Sequence, residues 1–298
     1  SDFASVFDQA NQLNNEVIFA IQYTNDPLTN GVAENHGNRL HLYFGMQYDT
    51  QAGMQRDVIN GRPFKRLKPT PYLLNTVFAD RVNDTRYNKT FKTVWLSNNP
   101  GTFNTTFDRS KATVTYKAGD TTIVIPGFEM SAAERATKKY QVLVPSMYNF
   151  ALFPTLTKFF DPLRQDMTYE FGSRDYFVHR LADTYLMLAE AQFKLGKQAE
   201  AVAAINTVRV RAAAAGKTEQ MKVTSVDMNL IMEERARELA GEQTRWMDLK
   251  RWNNLIERVK LYNTDAAANV NTIHYYRPLP QAQVDLSENG GFPQNPGY

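Results

Sequence analysis

The sequence predicts a mainly α protein, a helical scaffold that carries an irregular, loop-rich portion and a few short β-strands. Three observations lead there. Helical periodicity is dense after about residue 174 and scarce before it. The stretch from Asn25 to Lys68 is long, irregular and punctuated by Gly31, Gly37, Gly45, Gly53 and Gly61. A hydrophobic content of 43% over 298 residues supports a real core, yet no apolar run approaches the ~20 residues of a membrane helix. The reading divides the chain into a loop-rich portion, 1–173, which is the candidate ligand-binding region, and a helical portion, 174–298, with an extended tail.

In chain order, the opening segment enters at once into a short helix and a strand, and reads as the middle of a longer protein. The run Val17-Ile18-Phe19-Ala20-Ile21 predicts a buried strand. A loop as long as 25–68 inside a compact protein is functional or disordered. The segment PTPYLLNTVF predicts a short helix entered at Pro71. TFKTVWL predicts a strand, and ATVTYKAGDTTIVIPG predicts a hairpin turning at Ala118-Gly119-Asp120. A helix is expected from Asp175 to Leu195, with Phe177, Leu181, Tyr185, Leu188 and Ala189 on one face and Gly196 as its stop. A second runs from Gln198 to Ala215, with Ala201, Val202, Ile205 and Val208 inward, so the two form a helical hairpin that looks like one tetratricopeptide-like unit. No second copy appears at a period of ~34 residues. Thr224 and Asp227 suggest a capping box for a third helix, Ser225 to Ala240, and Thr244 a cap for a fourth, to about Val259. The tail from Tyr275, with four prolines and three glycines, is expected to be extended.

Charge and composition exclude several classes. Lys+Arg 34 against Asp+Glu 31 leaves a net charge of only +3, so strong electrostatic binding to nucleic acid is not implied. The basic run Lys65-Arg66-Leu67-Lys68 fits a solvated loop. With no cysteine, thiol catalysis, zinc-thiolate sites and disulfides fall away. His36, His41, His179 and His274 show no metal spacing; His179 is expected in a helix as a satisfied structural residue. There is no Gly-x-Ser-x-Gly, P-loop or Rossmann glycine pattern, so no catalytic residue, metal or cofactor is assigned. Asn83, Asn88 and Asn104 begin glycosylation sequons, a short pattern that carries little.

The densest charged stretch is MEERARELAGEQTRWMDLKRW, Met232 to Trp252. On the third helix Met228, Ile231, Met232, Arg235, Ala236 and Leu239 fall on one stripe, which places Arg235 on the apolar face. A buried guanidinium needs carboxylates, and Glu238, Glu242 and Asp248 are the candidates. Glu233 and Arg237 read as a solvent-side i,i+4 pair. Leu249, Trp252, Ile256 and Val259 form the inward stripe of the fourth helix. Paired carboxylates also serve glycosidases, but arginines this close keep them ionised. Arg235, Glu238, Glu242, Arg245 and Asp248 are therefore read as a structural charge network, not as a nucleic-acid helix or an active site.

The candidate binding residues lie in the loop region. Tyr43, Phe44, Tyr48, Phe64 and Tyr72 cluster with Asn38, Arg39, Asp49, Arg56, Arg62 and Arg66. Sugar binding uses aromatic faces against pyranose C–H groups and planar polar side chains for the hydroxyls. Tyr43, Tyr48 and Tyr72 are the expected stacking residues, and Arg62 and Arg66 the expected contacts to hydroxyls or acidic groups. The competing reading makes most of these aromatics staples of the loop to the core.

Several segments together resemble one family. RLADTYLMLAEAQFKLGKQAEAVAAINTVRVRA, ERARELAGEQTRWMDLKRW, PLPQAQVDL and the terminal QNPGY are similar to the C-terminal half of the SusD/RagB family; NNEVIFAIQY, GRPFKRLKPTPYLL and FPTLTKFFDP look similar upstream. The resemblance implies a tetratricopeptide-like helical scaffold with a loop-rich half. It implies a non-enzymatic surface lipoprotein of the Bacteroidetes outer membrane, acting as a nutrient-binding lid on a SusC-like TonB-dependent transporter. Most members are thought to capture oligosaccharides through aromatic residues, and some capture peptides. Members are usually longer, and their N-terminal half supplies most tetratricopeptide units and the lipid-bearing cysteine, neither of which is in this sequence. Tyr43 and the segment Arg66 to Tyr72 correspond roughly to where the starch-binding member places stacking aromatics, and Tyr140 or Tyr148 supplies another. Peptide binding and a docking role without a ligand site in this half stay open as alternatives.

Overall fold

The computed structural model describes residues 2–24, 26, 29, 37–105, 112–167, 170–287 and 292–298. His36 and Thr106, the last residue of the third sequon, lie outside them. Helix accounts for 37% and strand for 13%, the balance of a mainly α class. Two compact units divide the chain: residues 1–69 with 73–241, and residues 70–72 with 242–298. The change of character near residue 174 is thus a change in element type within the first unit. Among the described residues no helix is long and apolar enough to cross a membrane.

In the first unit nine short strands, β1 (Val17–Ile21), β2 (Phe91–Lys92), β3 (Val94–Leu96), β4 (Gly101–Asn104), β5 (Thr113–Tyr116), β6 (Thr121–Val124), β7 (Gln141–Val142), β8 (Thr155–Leu156) and β9 (Tyr176–Arg180), form four small sheets. Three are antiparallel pairs, β1–β9, β2–β8 and β4–β5; the fourth runs β3–β6–β7, with β6 and β7 parallel. β3 shows the period of two plainly: Trp95 is fully buried while Val94 and Leu96 on either side are exposed. Trp95 stacks on Tyr48 with centroids 4.7 Å apart, inside a core that includes Met46, Met54, Ile123, Ile125 and Phe153. A second core gathers Phe44, Leu74, Phe78, Tyr87, Phe91, Leu156 and Phe159.

The expected hairpin at 113–124 is opened. The turn forms, with Gly119 at φ 82, where a side chain would be strained. Its backbone is claimed by a third segment: Ser97 N–H donates to Asp120 O at 2.7 Å, and Gly119 N–H donates to Ser97 O at 2.8 Å. The two flanking strands then part, β5 to β4 and β6 to β3.

The helical hairpin, Leu181–Lys194 and Gln198–Arg211, is present. Its first helix starts six residues later than expected, because Tyr176–Arg180 is strand β9, paired with β1. His179 is therefore in a strand and exposed, not in a helix. The buried face is also different: Ala182, Asp183, Leu186, Ala189 and Glu190 turn inward, leaving Leu181 and Leu188 exposed. Long apolar side chains misled the periodicity here, since close helix packing selects the small ones. At the C-terminus Gly196 N–H donates to Phe193 O and Lys197 N–H to Gln192 O, a Schellman stop with Gly196 at φ 73. β1 is not buried either: Ile18, Phe19 and Ile21 are exposed, and β1 has one strand partner among the described residues.

The third helix runs Met228–Glu238. Asp227 is itself the N-cap, its side chain accepting from Leu230 N–H at 2.7 Å, so the capping box at Thr224 is corrected. PTPYLLNTVF does become helical, widening at Leu73–Val77 into a π-turn in which Phe78 N–H donates to Leu73 O.

In the second unit the expected fourth helix is two, Arg245–Arg251 and Leu255–Tyr262. Asn253 adopts φ 57 between them; its N–H donates to Lys250 O and that of Asn254 to Leu249 O. This is the same Schellman geometry with asparagine in the glycine position. The tail contains one further helical turn, Gln281–Asp285.

Candidate functional site

The charged stretch builds a buried ionic cluster, larger than expected and differently composed. Arg86, fully buried, donates from Nη1 to Glu234 (2.7 Å) and Glu238 (2.9 Å) and from Nη2 to Asp84 (2.7 Å). Arg180 Nη1 donates to Glu16 and Glu238, each at 2.7 Å. Arg209 holds Glu234 at 2.6 Å, Arg211 holds both Glu16 and Glu238, and Arg237 holds Glu234. Lys158 Nζ donates to Glu238 O at 2.8 Å. Burial opposes ionisation of Glu234, but Arg86, Arg237 and Arg209 outweigh it and hold its pKa near 2. Glu238 is likewise held well below the usual carboxylate range, burial being overcome by Arg180, Arg211 and Arg86. Neither carboxyl can serve as a general acid near neutral pH.

Within the expected network only Glu238 is a hub. Arg235 pairs with Asp183 on the hairpin at 2.7 Å, and Asp248 pairs with Arg251 at 3.0 Å. Glu242 is buried, and Arg245 lies 5.9 Å over the Trp252 ring. Arg237 turns to Glu234 and away from solvent, which corrects its pairing with Glu233.

The tyrosine-rich loop resolves into core and surface. Tyr48 is fully buried: one face is on Trp95, and its hydroxyl donates to Gly61 O at 2.6 Å. Burial pushes its phenol pKa well up. It has no face to offer a sugar, which corrects its assignment as a stacking residue; it is a staple. Tyr43 is half-buried, packs on the second core and lies 6.4 Å from the Phe64 ring. Arg62 stacks over Phe64 at 5.1 Å and pairs with Glu170. Arg66 is exposed, and its segment is tied to Tyr43, whose carbonyl accepts from Arg66 N–H at 2.9 Å. Tyr148 is half-buried against both cores, and Phe150, two residues on, is 73% exposed with Lys68 Nζ 4.8 Å over its ring. These contacts place Tyr43, Arg66, Lys68, Tyr148 and Phe150 along one edge of the first unit. Tyr72 belongs to the second unit, where it stacks on Tyr262 at 3.8 Å.

Where β5 and β6 part, a cleft of about 680 Å³ opens. β5 lines one side, with Tyr116 at its end; Thr121 and the segment Thr137–Gln141, including Tyr140, line the other.

The sequence model of the SusD family matches residues 15–298. The chain belongs to the SusD family. A curated relative, SusD-like protein P25 of Formosa agariphila, is 36% identical over 141 residues, which are 46% of this chain and 27% of that protein. Among solved structures, a laminarin-binding SusD-like protein superposes with a TM-score of 0.61 at 22% identity, covering 100% of this chain and 53% of that one. A SusD homologue from Bacteroides thetaiotaomicron gives 0.63 at 20%, covering 100% and 55%. Surface glycan-binding protein A from Bacteroides uniformis gives 0.57 at 19%, covering 99% and 52%. The chain therefore spans about half the length of these SusD-like proteins.

For this SusD-family chain, the residues that sequence reasoning missed are Phe150 and Lys68 at the edge and Arg86, Arg180, Glu16 and Glu234 in the cluster. Phe150 stands alone in sequence and nothing in periodicity marks it as exposed. Glu234 had a signal: it lies one turn before Glu238 on the same helix face.

Proposed function

We propose that this protein binds oligosaccharides or polysaccharides at the cell surface without catalysis, for import through a SusC-like TonB-dependent transporter. Membership of the SusD family supports the reading, as does a fold shared with proteins described as laminarin-binding and as surface glycan-binding. By the same analogy it works at the outer membrane, held by a lipid anchor outside this sequence. The observation that carries the assignment of the site is Phe150, a large ring 73% exposed under the Lys68 ammonium. An exposed aromatic face next to cations fits a pyranose C–H face with its hydroxyls met by Lys68 and Arg66. Tyr43 and Tyr148 support the edge from behind, and Arg62 flanks it; Tyr72 acts from the second unit. The ligand region is thus drawn from 1–173.

Affinity electrophoresis through a panel of plant, host and microbial polysaccharides tests this reading. Retardation by at least one glycan, weakened in a Phe150→Ala variant, is expected; migration unaffected by every glycan contradicts it. A docking scaffold is the second reading, favoured by exposed Ile18, Phe19 and Ile21 on β1. Co-purification with the transporter, without retardation in any gel, is the outcome that selects it.

A further inference from the structure

The cleft between β5 and the Thr137–Gln141 segment has a chemistry of its own. Its volume of about 680 Å³ lies within the ~300–1,000 Å³ of small-molecule sites. Lys138 and Lys139 are adjacent in its lining, and neither forms an ion pair among the described residues. The acid that lines it, Asp120, is engaged: its Oδ2 accepts Lys117 N–H at 2.7 Å. Glu134, one turn before Lys138, is held in its capping box, where Oε2 accepts Ser131 N–H at 2.7 Å and Ser131 Oγ–H at 2.8 Å. Two ammonium groups therefore face the cleft with no carboxylate committed to them. Around them are threonine hydroxyls, the half-buried ring of Tyr140 and the phenol of Tyr116, which burial and then Asp120 keep protonated. The far edge of β5 has no strand partner among the described residues, so its backbone adds donors and acceptors.

We propose that this cleft is a second saccharide site selective for anionic glycans, those carrying carboxylate or sulfate groups; the proposal rests on the glycan-binding reading above. A neutral sugar entering here desolvates Lys138 and Lys139 without a counter-charge, whereas an acidic one gains charge-assisted hydrogen bonds. The Tyr140 ring offers the apolar face and the threonines meet the hydroxyls.

The test is calorimetric titration of the whole chain with three probes: an alginate oligosaccharide (carboxylate), a sulfated galactan oligosaccharide (sulfate) and a neutral laminari-oligosaccharide. Each is run on wild type and on a Lys138→Gln, Lys139→Gln double variant, with polyglutamate as competitor. Binding of at least one acidic probe, weakened about tenfold or more by the double variant and by raising the salt, is expected; laminari-oligosaccharide binding at the Phe150 edge is unchanged. Which acidic probe binds tells carboxylate from sulfate. Binding of the neutral probe but neither acidic one overturns the inference and leaves the glycan reading standing. Acidic binding indifferent to the double variant, or displaced equally well by polyglutamate, overturns it too. Binding of none of the three overturns both.

Discussion

The ionic cluster and the aromatic edge are made of the same residue types and are built in opposite ways. In the cluster, arginines and glutamates are buried, each carboxylate meets two or more cations, and the partners come from segments as distant in sequence as Glu16, Arg86, Arg211 and Glu238. At the edge, Arg66 and Phe150 are exposed and Tyr43 and Tyr148 are half-buried on the core. Burial converts a charged residue into a fastener, because a buried charge left alone costs several kcal/mol. Exposure leaves a side chain free to act on something else. Residue type alone does not distinguish the two; position does.

That contrast can be broken from either side. The largest effect is expected from Arg86→Met, which leaves Glu234, Glu238 and Asp84 short of a cation in a buried site. A loss of about 3–5 kcal/mol in denaturant unfolding is predicted; a loss below about 1 kcal/mol would show that the cluster is not a fastener. Acid gives the next largest. The folded-state pKa of Glu234 lies near 2, below its ordinary 4.5, so its contribution is fully present above pH ~4.5 and is lost as pH falls towards 2. A decrease of about 3 kcal/mol across that window is expected from this group alone, read by unfolding at stepped pH; Glu238 adds in the same direction. Tyr48→Phe removes the hydroxyl that donates to Gly61 O and is predicted to cost about 1 kcal/mol, with glycan affinity unchanged. A loss of affinity without a loss of stability there would return Tyr48 to the site. Phe150→Ala is the smallest in stability, within about 0.5 kcal/mol, and weakens glycan binding about threefold to tenfold.

Much of the architecture is legible in the residues. The helical hairpin, its glycine stop and the inward face of Gln198–Arg211 follow from periodicity and capping, which are local. What is not legible depends on segments far apart. Tyr176–Arg180 reads as the start of a helix until β1 is there to pair with it. The 113–124 stretch reads as a hairpin until Ser97 occupies its turn and β3 and β4 take its strands. Asn253 breaks a helix that nothing else interrupts, since asparagine reads as an interior residue until its φ is known. The same holds for the sites. Arg235 is correctly placed on the buried face, but its partner Asp183 comes from the hairpin. Tyr43, Arg62, Arg66 and Tyr148 are brought to or near one edge, whereas Tyr48 is core, a distinction that tyrosine's double character hides in sequence.

The central claim is that an exposed aromatic edge binds glycan while the buried residues hold the fold. It is tested most directly by titrating wild type and Phe150→Ala with the polysaccharide that retards the wild type, while recording Tm for both. The account predicts weaker binding at an unchanged Tm. Equal affinity in the two proteins, or a binding loss matched by a fall in Tm, would contradict it.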